Sequence, residues 1–75
     1  MMTKFIYRVQ GLLADRGEVL NDLQRGVGVN RKTLYRGPQR KQTIAAIAYY
    51  LGMSADELVA GTDVEEIWNR DTSEY

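Results

Sequence analysis

Apolar residues recur along this chain at helical spacing, and nowhere do they alternate as a strand would. Phe5, Ile6, Val9, Leu12 and Leu13 fall at i, i+1, i+4, i+7 and i+8, which predicts an amphipathic helix from Thr3 to about Ala14, ended by Gly17. A short second helix is predicted from about Val19 to Arg25. It buries Val19 or Leu20 together with Leu23, and Gly26 and Gly28 break it. Asn30 is a good N-cap for a third helix, Arg31 to Arg36, which Gly37-Pro38 stops. Ile44, Ile47, Ala48 and Leu51 at i, i+3, i+4 and i+7 predict a fourth, from about Gln42 to Leu51, closed by Gly52. Ser54-Ala55-Asp56-Glu57 reads as a capping box that opens a short fifth helix carrying Leu58 and Val59. Thr62-Asp63-Val64-Glu65 repeats the device before a last helical segment with Val64, Ile67 and Trp68 and a polar tail from Asp71 to Tyr75. The expected fold class is therefore all-α.

A chain of 75 residues buries roughly 60% of its unfolded surface, enough for one small core. With neither cysteine nor histidine, disulfides, thiolate nucleophiles, structural zinc and imidazole catalysis are excluded together. The acids fall mainly at helix starts and in the tail, where capping explains them, so no enzyme, cofactor or metal is expected. No apolar run approaches the roughly 20 residues of a membrane span. No signal-peptide pattern is present either, so the expected location is the cytoplasm, without a membrane partner.

The formal net charge of zero hides a segregation of charge along the chain. Between Arg25 and Lys41 stand Arg25, Arg31, Lys32, Arg36, Arg40 and Lys41 without one acid. Beyond Ser54, Asp56, Glu57, Asp63, Glu65, Glu66, Asp71 and Glu74 face Arg70 alone. A molecule built this way has a positive end suited to a polyanion and a negative end that projects away from it.

The basic window coincides with two short helices joined by a glycine-bearing turn, Val19 to Arg36, which is helix-turn-helix grammar. Two helices so joined cross steeply, letting one brace on the DNA backbone while the other enters the major groove. At about 100° per residue, Leu34 lies nearly opposite Lys32 and Arg36, with Thr33 and Tyr35 flanking them. If Leu34 anchors the core, Lys32 and Arg36 point outward together toward base-edge acceptors. Tyr35 has three roles open to it: stacking, donating to a phosphate, or touching a thymine methyl. Arg31 lies nearer the anchored side and suits a phosphate better than the groove. At Asn30, capping and adenine reading compete for one side chain, and capping ranks first. Arg25, Gln39, Arg40 and Lys41 are the expected phosphate contacts around the groove.

These residues resemble the Cro/C1 repressor type of helix-turn-helix domain, the XRE family. The resemblance is carried by Leu23, Gly28-Val29-Asn30, Thr33-Leu34 and Arg36, and by the run from Ile44 through Leu51-Gly52-Met53-Ser54 to Asp56-Glu57-Leu58. It covers roughly residues 5–60. It implies a five-helix DNA-binding domain over 1–61, followed by a short helical extension with an acidic tail over 62–75. It also implies a transcriptional regulator, repressor-like, that binds double-stranded DNA as a homodimer on a palindromic operator. By position, Asn30, Arg31, Lys32, Tyr35 and Arg36 match places where such proteins contact DNA. The chain departs from the pattern at Gln24, where alanine is usual. A second departure is the short Gly37–Lys41 connection, and a third is Gly37-Pro38 in place of a charged residue.

Tyr49 and Tyr50 lie away from Ile44, Ile47 and Leu51, leaving the fourth helix apolar nearly all round, so they serve the core or a dimer contact. Trp68, with Val64 and Ile67, is expected either to pack on the first helix or to mediate self-association. The alternative function is a protein-binding adaptor or antitoxin-like module on the same scaffold, gripping its partner through Tyr49, Tyr50 or Trp68.

Overall fold

The computed structural model describes residues 3–70, and among these every element of regular structure is helical. The helices are α1 (Lys4–Asp15), α2 (Leu20–Val27), α3 (Arg31–Arg36), α4 (Lys41–Leu51), α5 (Ala55–Val59) and α6 (Glu65–Trp68). No helix among the described residues is long and apolar enough to cross a membrane. The expected tail from Asp71 to Tyr75 lies outside the described residues.

Local chemistry sets most boundaries. Thr3, Asn30 and Ser54 accept N–H bonds from Ile6, Thr33 and Glu57 and so start α1, α3 and α5. Asp22 starts α2 by reaching back to the Val19 N–H at 3.0 Å. Two helices end in the same six-to-one arrangement around a left-handed glycine. The Glu18 N–H reaches the Leu13 carbonyl past Gly17, and the Met53 N–H reaches the Ala48 carbonyl past Gly52.

The core is a joint product of all these elements. Phe5, Ile6, Val9 and Leu13 from α1 meet Leu20 and Leu23 from α2, Leu34 from α3, and Ile44, Ile47 and Ala48 from α4. Leu58 and Val59 from α5 and Val64 before α6 complete it. No helix supplies more than four of these side chains, so none holds its fold without the others. Arg8 adds a polar tie: its guanidinium donates to the carbonyls of Glu57, Leu58 and Ala60 at 3.0, 3.3 and 2.9 Å, satisfying the C-terminal end of α5.

Several expectations are corrected. Gly26 does not break α2, which runs on to Val27 and ends at Gly28 with φ 82°. Instead Gly26 makes room for a partner, because a Cβ there would overlap the ring of Tyr50. Of the two alternatives at the start of α2, it is Leu20 that is buried with Leu23, and Val19 is 64% exposed. The second capping box is displaced by one residue. Thr62 Oγ1 accepts the Val64 N–H at 3.2 Å, and the Glu65 carboxylate reaches back to Gly61 at 3.2 Å. Trp68 is tied to α5, its Nε1 donating to Asp56 Oδ1 at 2.7 Å. Trp68 also packs against the core cluster, and Asp63 reaches α1 by accepting the Phe5 N–H at 3.1 Å.

Tyr49 and Tyr50 separate. Tyr49 is 88% exposed, whereas Tyr50 folds back over Gly26 and clamps α2 to α4. The Tyr50 hydroxyl donates to Glu18 Oε1 at 3.0 Å, and Arg16 pairs with the same oxygen at 3.4 Å while lying 5.3 Å from the Tyr50 ring centre. The hydrogen bond to Glu18, then partial burial, then repulsion from the Glu18 charge raise the Tyr50 pKa above 10.0 against the opposing pull of Arg16.

Two predictions follow from this clamp. Gly26→Ala gains up to about 1 kcal/mol of helix propensity but forces the Tyr50 ring aside, so a net loss of about 1–3 kcal/mol is expected in urea unfolding. The folded pKa of Tyr50 is the higher one, so its contribution to stability is present below pH 10.0 and fades as pH rises through the folded value. The tyrosinate absorbance of the wild type minus that of Tyr50→Phe is accordingly expected to have its midpoint above pH 10.0. A difference curve centred at or below that value would show that no such bond exists in solution.

Candidate nucleic-acid interface

The surface around α3 follows from one inward side chain. Leu34 is fully buried and is the only buried residue of α3. Its burial turns Arg31, Lys32, Tyr35 and Arg36 outward, and all four are exposed. The Asn30 Oδ1 accepts the Thr33 N–H at 2.8 Å, so of its two expected roles the side chain performs the capping one.

A ridge with a hollow on each side results. On the α4 side an open hollow of about 650 Å³ is lined by Asn30, Lys32, Thr33 and Arg36 from α3 and its cap. Gln39, Arg40, Gln42 and Thr43 form the opposite wall, with Val27, Gly28, Val29, Gly37 and Ala46 between them. No carboxylate lines it, so the charges of Lys32, Arg36 and Arg40 are not offset within the wall. The start of α4, which borders the hollow, also differs from the other helix starts among the described residues. Arg40 caps α4 without a side-chain hydrogen bond and no acid occupies the first turn, leaving the opening N–H groups to water or to an anion.

On the other side of the ridge, Arg31 and Tyr35 border a hollow of about 390 Å³ with Gln10, Leu13, Ala14, Glu18, Val19, Leu20 and Asn21. Apolar side chains and Glu18 make this flank far less cationic. Arg31 thus stands apart from Lys32 and Arg36, in keeping with its position nearer Leu34. Tyr35, 36% exposed, shares that flank.

Of the residues expected to touch phosphates, Gln39 and Arg40 line the basic hollow, and the Gln39 Nε2 donates to the Gly37 carbonyl at 3.1 Å. Arg25 and Lys41 are not part of that lining. Arg25 is instead paired with Asp22 at 3.0 Å on the surface of α2. Such an exposed pair contributes little and exchanges readily for another anion. The sequence reading missed Gln42 and Thr43. Gln42 falls opposite Ile44 on the helical wheel of α4, so its exposure was legible, but only the folded chain sets it across from Lys32 and Arg36.

No residue between Thr62 and Arg70 lines the basic hollow, so the described part of the acidic segment leaves it open. Among the described residues no cluster of three or more acidic side chains could hold a metal ion. The Gln24 side chain is half-buried on α2, and its Oε1 has no hydrogen-bond partner. Set against protein-family models, curated proteins and solved structures, the chain matches none.

Proposed function

We propose that this protein is a sequence-specific regulator of transcription of the Cro/C1 helix-turn-helix type, binding double-stranded DNA with α3 in the major groove. The observation that carries the reading is the hollow between α3 and α4, where Lys32, Arg36 and Arg40 converge without a carboxylate. In this reading α1 to α5 form the five-helix domain and α6 is an addition to it. Lys32 and Arg36 meet base edges, for which guanine O6 and N7 are the best acceptors. Arg40, the Gln39 and Gln42 amides, Thr43 and the open start of α4 receive the phosphates of one strand. On the opposite flank Arg31 serves the other strand. Chemistry on the DNA is not part of the proposal, because the groove holds donors and cations but no nucleophile with a base beside it. Two copies bound to a palindrome would set their α3 helices about 34 Å apart.

Selection of bound sequences from a random duplex library tests specificity and symmetry together, and a palindromic consensus is the expected result. Affinity for that consensus should fall with salt at a slope of about −0.9 per phosphate neutralised. Lys32→Ala or Arg36→Ala should each cost about 1–3 kcal/mol against the consensus and relax the preference at one position. Arg40→Ala should weaken all sequences evenly and lower the salt slope by about one. Association with duplex DNA that is absent, or indifferent to salt, would overturn the reading. A Trp68 fluorescence response to a protein partner but not to duplex DNA would favour the adaptor alternative.

A further inference from the structure

The orientation of α3 is poorly determined by its own contacts with the core. It has six residues and buries only Leu34, and a rod pinned at one point can tilt about that point. Asn30 caps the first turn through the Thr33 N–H, a bond within α3 itself. At the far end the chain turns through Gly37, with φ 97°, and Pro38, and both residues are buried. On the side of Gly37 where a side chain would stand, the neighbours come from beyond α5. A Cβ on Gly37 would stand 3.3 Å from Val64 Cγ2 and 3.6 Å from Asp63 Oδ2.

That segment is itself held on both sides. Val64 is 1% exposed, and its N–H donates to Thr62 Oγ1. The Thr62 hydroxyl in turn donates to the Val59 carbonyl at 2.7 Å. Asp63 accepts the Phe5 N–H at the start of α1. Residues 62–64 therefore form a short wedge, fixed to α1 and α5, whose free side abuts the end of α3.

We infer that this wedge is a positioning element for α3: Val64, packed against Gly37, sets the angle at which Lys32 and Arg36 are presented, and with it the base discrimination of the groove. The inference rests on the DNA-binding reading above. It separates two quantities that a simple loss of folding would lower together. Attraction between cations and phosphates acts over a Debye length of about 8–10 Å and tolerates a tilted helix. A hydrogen bond to a base edge holds only within about 2.7–3.2 Å and a narrow cone of angles. Loosening the wedge removes the second and spares the first.

The test uses the full chain carrying Val64→Ala, at a temperature where circular dichroism shows it fully folded. The probes are the duplex selected by the wild type and a scrambled duplex of the same length and composition. The expected result is a fall of about ten-fold or more in the ratio of the two affinities. Affinity for the scrambled duplex and its salt slope should stay within about two-fold of wild type. An unchanged ratio, or an equal fall in both affinities, overturns the inference. If Val64→Ala does not fold, Val64→Ile is read by the same criteria, since it stays apolar and adds one methylene at the Gly37 contact.

Amide hydrogen exchange of DNA-free protein supplies the readout that does not depend on DNA. Exchange at Leu34 and Gly37 should quicken by about ten-fold or more in the variant while that of Ile47 and Ala48 in α4 holds. Equal protection in wild type and variant removes the wedge even if DNA binding stands. A wild type that prefers no duplex defeats the DNA reading, and with it the claim of discrimination, whatever the exchange shows.

Discussion

The surface that α3 presents depends on the burial of Leu34. The α3 helix is too short to be stable by itself, and Leu34 is its single entry into the core. Because a helix advances by about 100° per residue, fixing one side chain inward determines which others face water. With Leu34 inside, Lys32 and Arg36 share the outer surface, and Arg31 and Tyr35 are carried to the opposite flank. Leu34 determines the rotation of α3 about its axis. The tilt of that axis is left to the chain connections at its two ends.

Charge and packing are divided among different parts of the chain. Lys32, Arg36 and Arg40 gather between α3 and the start of α4, and the carboxylates of α5 and α6 lie outside that basic hollow. Within the acidic half, individual carboxylates are occupied locally. Asp56 accepts from the Trp68 indole, Asp63 from the Phe5 amide, and Glu65 from the Gly61 amide. These bonds account for three of the acids as fasteners of the C-terminal segment. The negative end is thereby a structural device.

A second contact, between Tyr50 and Gly26, governs how α2 meets α4. Glycine in the interior of a helix carries an entropic cost, and here its missing side chain is the space into which the ring of Tyr50 fits. The same tyrosine then hydrogen-bonds Glu18, which with Arg16 occupies the turn between α1 and α2. One aromatic side chain thus ties three helices together without itself lying in the apolar core. It also explains why adjacent tyrosines on α4 have opposite fates. Turned about 100° further round the helix, Tyr49 finds no such recess and stays in solvent.

The helices were legible in the order of residues wherever a strong periodicity met a local cap. The apolar stripes of α1 and α4, the caps at Thr3, Asn30 and Ser54, and the glycine stops at Gly17 and Gly52 depend on residues within a turn or two of one another. The inward position of Leu34 and the outward sharing of Lys32 and Arg36 were legible for the same reason. What the tertiary structure decided lies where a residue answers to a distant one. Gly26 continues a helix because a ring from α4 covers it, although glycine ordinarily marks an end. Asp63 caps α1 from 58 residues away, and Val64 abuts the end of α3 across the whole of α4 and α5. Gln42 and Thr43 join the wall facing α3 only once α4 has docked. Capping and periodicity are short-range effects readable in one dimension, whereas steric complementarity between remote segments exists only after the chain has closed on itself.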